Sequence, residues 1–333
     1  MNKNILITGG AGYIGSQISH DLKKLGFKVF IIDNLSTGNK SLLPKNSKFY
    51  KKEINETNFI KNLILKKKIN TIMHLAASLS VEESSSYPLK YFDNNVSGTI
   101  SLMEAASKSG IKNIIFSSTS AVYGNTKEKK IKENHPKNPI SNYARTKLIC
   151  ENIIKYYCYN FKINSAILRY FNVAGADPTN KIGCLNEIGQ LFKNLSKNIA
   201  KKNYTVQIFG NKYPTKDGTC IRDYIHVKDI SLIHINSLNY ISSNNRSIEL
   251  NCGYGKGYSV LDIIKSFEKV HKIKMKKIIK PKRKGDTTIS VCENSYLKKI
   301  LNFKPKYNSL SKIVEDSLDW ELFILNKKNN RNF

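Results

Sequence analysis

A doubly wound α/β fold built on a parallel sheet is what this sequence predicts, and three observations predict it. Short apolar runs alternate with amphipathic stretches along the first half of the 333-residue chain. That is the pattern of strands joined by crossover helices. The first run, Ile5-Leu6-Ile7, leads into glycines at 9, 12 and 15. The second, over 28–32, ends on an acid, Asp33.

Each element can be justified in order. A strand is predicted over 4–7 and a helix over about 16–25, with Ile18, Leu22 and Leu25 on one face. The glycines between them have distinct jobs. Gly9 permits a tight turn off the strand, Gly12 lets a pyrophosphate approach the backbone, and Gly15 lets helix and strand pack closely. The pyrophosphate would sit on free N–H groups at the helix start. A carboxylate at Asp33 can bond both ribose hydroxyls of an adenosine and repels a 2′-phosphate, which favours NAD over NADP. The polar loop 34–39 can line the adenosine site. A strand over 48–51 follows, and Glu53 after it can bond the adenine amino group. Then come a helix near 56–67, a strand over 71–75, a helix over 94–109 and a strand over 113–117. A helix over 143–160 and a strand over 165–169 complete the alternation. The remainder is less regular: helices near 186–201, 260–270 and 310–325, and strands near 205–208 and 248–251. We expect a dinucleotide-binding domain over 1–175, with a later return of the chain near 223–252. A second, mainly substrate-binding domain over 176–330 would leave a cleft between the two.

Composition narrows the class. The net charge of +30 comes from lysines in many short groups, accompanied by abundant Asn and Ile. That is a compositional bias across the whole chain, so no nucleic-acid partner is expected, although a positive field attracts an anionic substrate. No apolar run is long enough to span a membrane. The first strand begins at once, leaving no room for a signal peptide. The six cysteines are scattered without a C-x-x-C pair, as expected of reduced thiols in a cytoplasmic protein. The histidines form no ligand cluster with them, so no metal is expected.

Tyr143 and Lys147 are four apart at a helix start, one turn apart on one face. A phenol titrates near 10, so service as a base near neutrality needs a drop of about 3 units, or roughly 4 kcal/mol. An ammonium at roughly 6 Å supplies about 3 kcal/mol at an effective dielectric of about 20. The positive nicotinamide ring can supply the rest. The run from Phe116 to Gly124 puts hydroxyls just past the end of a strand, where ligands sit in such sheets. Thr119 can therefore bond the same substrate oxygen as Tyr143.

Together these features resemble the extended short-chain dehydrogenase/reductase family. The segments 168–176 and 209–227, the latter reading FGNKYPTKDGTCIRDYIHV, narrow the resemblance to the UDP-glucose 4-epimerases. It runs from residue 3 to about 322. It implies a Rossmann-type NAD domain with a smaller C-terminal α/β domain for a nucleotide sugar. It also implies a homodimer joined by the helices over 94–109 and 143–160 in a four-helix bundle. NAD contacts are implied for Tyr13, Ile14, Asp33, Asn34, Glu53, Ile54, Leu75, Ala76, Ala77, Asn94, Tyr143, Lys147 and Phe171. UDP-sugar contacts are implied for Thr119, Tyr143, Asn172, Phe209, Arg222, Arg283 and Asp286. Guanidinium forks at Arg222 and Arg283 suit a diphosphate.

There are departures from the family pattern. Glu53 stands where aspartate is common, and Gln190 where Asn or His is usual beside the diphosphate. Lys282 replaces the first of two arginines, and Thr119 replaces a serine but keeps the hydroxyl. Ser290 falls where the family walls the sugar pocket near its 2-substituent. The implied reaction interconverts UDP-glucose and UDP-galactose through a 4-keto sugar, with NAD as resident cofactor. A nucleotide-sugar 4,6-dehydratase would want an Asp-Glu pair where this chain has Ser120-Ala121. A non-catalytic NAD-binding regulator could dispense with Tyr143 and Lys147, and both are present.

Overall fold

The computed structural model describes residues 3–126, 128–186, 190–283 and 285–329. Its centre is a sheet of seven parallel strands. The chain enters through β1 (Asn4–Thr8), helix α1 (Tyr13–Lys24), β2 (Lys28–Asp33) and β3 (Lys48–Lys51). Helix α2 (Thr57–Lys67) returns it to β4 (Thr71–His74). Two short helices, α3 (Val81–Ser86) and α4 (Pro88–Tyr91), precede α5 (Gly98–Ser107) and β5 (Asn113–Thr119). Helix α6 (Asn142–Phe161) then leads to β6 (Asn164–Tyr170).

Beyond β6 the chain leaves the sheet and comes back. It makes β7 (Asn172–Ala174), α7 (Leu191–Ala200), β8 (Thr205–Phe209), β9 (Ile221–His226) and α8 (Val227–Asn244). Strand β10 (Ile248–Cys252) then pairs in parallel with β6. The remaining elements are β11 (Gly257–Ser259), α9 (Val260–His271), β12 (Lys276–Lys280), β13 (Ile289–Ser290), α10 (Ser295–Leu301) and α11 (Leu310–Asn329). Spatial order in the main sheet is β10-β6-β5-β4-β1-β2-β3. A small sheet orders β11-β9-β13 with β7 also on β9, and β12 pairs with β8.

The strands read as continuous apolar runs because both faces are covered. Alternate residues divide between two cores. Ile5, Ile7, Ile31, Met73 and Leu168 face Ile18 and Leu22 of α1 and Ile230 and Ile233 of α8. Leu6, Ile32, Ile72 and Phe116 face Ile60 and Ile64 of α2, Leu102 of α5 and Ile154 of α6. Helices therefore lie on both faces, as a doubly wound sheet requires. Strand order reverses between β1 and β4, and ligands in such sheets bind at the carboxyl ends of the strands beside that reversal.

Several boundaries differ from expectation. Helix α1 begins at Tyr13 with Gly12 as its N-cap, so Gly15 lies inside its first turn. It stops at Lys24, and Leu25 caps it 52% exposed instead of joining the buried face. The helix predicted over 94–109 starts as a π-helical turn over Phe92–Ser97 and becomes regular at Gly98. Helix α7 starts at Leu191, and residues 187–189 of the predicted span lie outside the described residues. Among the described residues, no helix is long and apolar enough to cross a membrane. All six cysteines are free thiols.

Candidate active site

The glycine turn is built by close approach. Gly9 has φ +70°, and a Cβ on it would stand 2.6 Å from the Ala76 backbone nitrogen. A Cβ on Gly15 would overlap the Gly9 carbonyl oxygen. Only glycine satisfies both demands, which presses α1 onto the end of β1 and the turn onto the end of β4. The N-cap Gly12 offers no side-chain hydrogen bond to the first turn of α1. That leaves orphan N–H groups at a positive helix end, the environment a phosphate requires.

Asp33 ends β2 beside this turn. Its Oδ2 accepts from Ala11 N at 2.9 Å and its Oδ1 from Leu35 N at 2.8 Å. Burial pushes its pKa up, and those two N–H groups oppose the rise. Each carboxylate oxygen keeps lone-pair capacity for a hydroxyl. Asn34 donates to Glu53 Oε2 at 3.0 Å, so the two predicted adenosine residues brace each other. A cleft of about 910 Å³, including space open to solvent, is lined by Gly9, Gly12, Tyr13, Ile14, Gly15, Asp33, Asn34, Glu53, Ile54, Leu75, Ala76, Ala77 and Asn94. Gln190, predicted on the substrate side, lines it too.

At the other end of the strand reversal, Tyr143 lies in the first turn of α6, whose N-cap Ser141 accepts from Ala144 N at 3.2 Å. Thr119 ends β5, and its hydroxyl bonds the Tyr143 phenol. Burial pushes that phenol up to about 12, and the Thr119 bond is what opposes the rise. Lys147 is itself buried, and burial pushes its ammonium down to about 8. Its Nζ lies 4.3 Å from the centre of the Phe116 ring.

The predicted sugar-nucleotide residues collect around the small sheet. Arg222 on β9 pairs with Asp286 at 3.7 Å rather than with its chain neighbour Asp223. Asp223 instead accepts from the N–H groups of Tyr254, Gly255 and Cys292. The Arg283 guanidinium stacks 3.9 Å from the centre of the Phe209 ring. Ser290 on β13 stands opposite Arg222 in the strand register and is buried. Asn172 opens β7, exposed, opposite Tyr224. Phe171 is placed differently: its side chain packs with Val122, Tyr123, Ile131 and Cys292 in an apolar cluster.

Sequence reasoning passed over several residues here. Ser117, Cys184 and Asn186 also line the cleft. Asn95 is buried and links Ser78 N at 2.7 Å to Thr146 Oγ1 at 3.1 Å, tying the π turn to α6. Arg169, inside an apolar strand, is fully buried and paired with Glu151. An arginine in such a run was a signal in itself, because a buried charge must have a partner.

Residues 5–253 match the family described as the NAD dependent epimerase/dehydratase family. The chain is 38% identical over 317 residues to the UDP-glucose 4-epimerase of Lacticaseibacillus casei, covering 95% of this chain and 96% of that one. It superposes on the UDP-glucose 4-epimerase of Stenotrophomonas maltophila, solved with NAD and formylated UDP-arabinopyranose. There the TM-score is 0.93 at 34% identity, over 98% of this chain and 99% of that one. It also matches the UDP-Glc/GlcNAc 4-epimerase of Campylobacter jejuni, with a TM-score of 0.82 at 37% identity over 96% and 99% of the two chains. With identity and fold agreeing over nearly its whole length, the chain belongs to the NAD dependent epimerase/dehydratase family, among the UDP-glucose 4-epimerases.

Proposed function

We propose that this protein interconverts UDP-glucose and UDP-galactose by reversible oxidation at C4 of the sugar, with NAD as a resident cofactor. The observation that carries the reading is that Thr119 meets Tyr143, one helical turn from the buried Lys147, next to a cleft lined by the glycine turn and Asp33. The fit rests on the uncapped start of α1 and on the Asp33 carboxylate lining the cleft. NAD would be held by the glycine turn, Asp33, Asn34, Glu53 and the 75–77 segment, and when bound supplies reversible hydride transfer.

The chain's own residues handle the proton. Tyr143 takes it from the sugar 4-hydroxyl and returns it, and Thr119 bonds the same oxygen. Lys147 supplies positive charge beneath the phenol and a donor for a ribose hydroxyl. Arg222 and Arg283 grip the diphosphate, Phe209 and Asp286 flank it, and Asn172 and Gln190 offer amides. Ser120 and Ala121, in the turn after Thr119, cannot supply the acid–base pair of a dehydratase.

Three further features belong to this reading. Residues 1–175 with the return near 223–252 form the cofactor domain, and 176–330 form mainly the sugar domain. The protein is a homodimer through α5 and α6, supported by the exposed apolar side chains of Ile100, Ile149 and Tyr156. It is cytoplasmic, which its free thiols favour. Incubation of purified protein with UDP-galactose, without added NAD, should yield UDP-glucose in a coupled assay. Retained NAD with no turnover would overturn the catalytic reading in favour of a regulator.

A further inference from the structure

We propose that Glu151 is a positioning residue for proton transfer: held by Arg169, its carboxylate straps the hydroxyl-bearing end of β5 to the face of α6 that carries Tyr143 and Lys147. The inference rests on the Tyr143–Lys147 reading above. Tyr143, Lys147 and Glu151 follow one another at intervals of four along α6, so they share one face. Ser118, next to Thr119, donates to Glu151 Oε1 at 2.5 Å. Arg169 on β6 grips the same carboxylate bidentately, Nε to Oε1 at 2.9 Å and Nη2 to Oε2 at 2.7 Å. Its Nη1 reaches the hydroxyl of Tyr123, in the turn that follows Thr119, at 3.0 Å. Ser118, Glu151 and Arg169 are all buried, so water cannot substitute for these bonds.

Charge points the same way as geometry. The groups facing the Lys147 ammonium are His74 of β4, the Phe116 ring of β5, and Cys150 and Glu151 on its own helix. Burial holds His74 down at about 3 and raises the Cys150 thiol, so both are neutral. Glu151 is therefore the anion of this set, and it favours a charged Lys147 against burial. Strap and counter-charge are the same carboxylate.

The test is the pH profile of kcat in the holoenzyme. Glu151→Gln keeps the volume and removes the charge. We expect kcat to fall about tenfold or more with KM for UDP-galactose within about threefold. The alkaline limb should move about half a unit or more to lower pH, because Lys147 loses its proton sooner. Glu249→Gln removes the other carboxylate on the same guanidinium and should leave that limb in place. Wild-type kcat and limb in a folded Glu151→Gln, or an equal shift in Glu249→Gln, would overturn the proposal. Should Glu151→Gln not fold, Ser118→Ala still decides, because it spares the ion pair and cuts the strap. There kcat should fall about fivefold or more with KM unchanged, and a wild-type kcat would overturn the proposal. Tyr143→Phe, run alongside, separates the two levels. Full activity in that variant defeats the underlying reading, whereas an inactive Tyr143→Phe beside a wild-type Glu151→Gln defeats only the role of Glu151.

Discussion

The Asp33 carboxylate accepts the Ala11 N–H at 2.9 Å, joining the end of β2 to the glycine turn that precedes α1. A single side chain thus shapes the turn and presents its remaining lone pairs to the cleft. Gly38 closes the space beside it, since a Cβ there would stand 2.7 Å from Asp33 Oδ1. A 2′-phosphate would meet both the charge and the crowding. Cofactor released by denaturation and identified by mass should therefore be NAD. Asp33→Asn should weaken NAD binding about ten- to hundredfold, as expected when a hydrogen bond to a charged group worth about 1.5–3 kcal/mol is weakened. Recovery of mainly NADP from the natural protein would refute the role given to Asp33.

Tyr143→Phe deletes the proton acceptor and the partner of Thr119, and leaves the glycine turn untouched. General base catalysis contributes about 10²–10⁴-fold, so kcat should fall within that range while NAD stays bound. Cofactor content and single-turnover reduction of the bound NAD by UDP-galactose check it. A near-wild-type kcat would remove Tyr143 from the proton path.

Lys147 makes a stability prediction separate from activity. Burial holds its ammonium at about 8, below the ordinary 10.5. A lysine depressed in this way costs the fold most wherever it is charged. The cost is full below about pH 8 and lifts as the pH rises towards 10.5. Lys147→Met removes the charge at similar volume. It should raise Tm at pH 7, by an amount corresponding to at most about 3 kcal/mol, and the gain should shrink towards pH 10. Paired thermal melts at the two pH values test this. Equal gains at both would show that the buried charge is not the cause.

The parts legible in the sequence were those set by local order. The strand, glycine turn, helix, strand and acid over 4–33 sit within one stretch, and each residue's job follows from its neighbours. The start of α1 was misplaced because Gly15, although helical, is there for its contact with the Gly9 carbonyl. Helix ends carried little signal. Lys68, Lys162, Asn245, Lys272 and Asn302 cap helices in the left-handed conformation where glycine is the usual marker. Helix α8 escaped notice because burial surrounds it: Ser231, His234 and Ser237 are as buried as Ile230 and Ile233. Strand β13 is two residues long and exists only through its pairing with β9. The sugar-side residues could not be derived from local pattern, since Arg222 and Asp286 meet only after folding. They came from the resemblance.

Ser290 supplies the last prediction. It is buried on β13, opposite Arg222 in register and four residues past Asp286. The position lies on the sugar side if Arg222 and Asp286 hold the nucleotide. A serine is small and can donate to an acetamide carbonyl, whereas a tyrosine ring would fill the volume an N-acetyl group needs. Overpacking costs about 1–3 kcal/mol, which corresponds to about a tenfold to hundredfold change in specificity. We therefore expect the natural protein to epimerise UDP-N-acetylglucosamine, more slowly than UDP-glucose. Ser290→Tyr should lower kcat/KM for the N-acetylated sugar by that factor and leave UDP-glucose little changed. A smaller substitution at the same position serves as the control. Ser290→Ala keeps the space and removes only the donor, so it should retain most N-acetyl activity. If the natural protein shows none, or if tyrosine leaves the ratio of the two sugars unchanged, Ser290 does not gate the pocket.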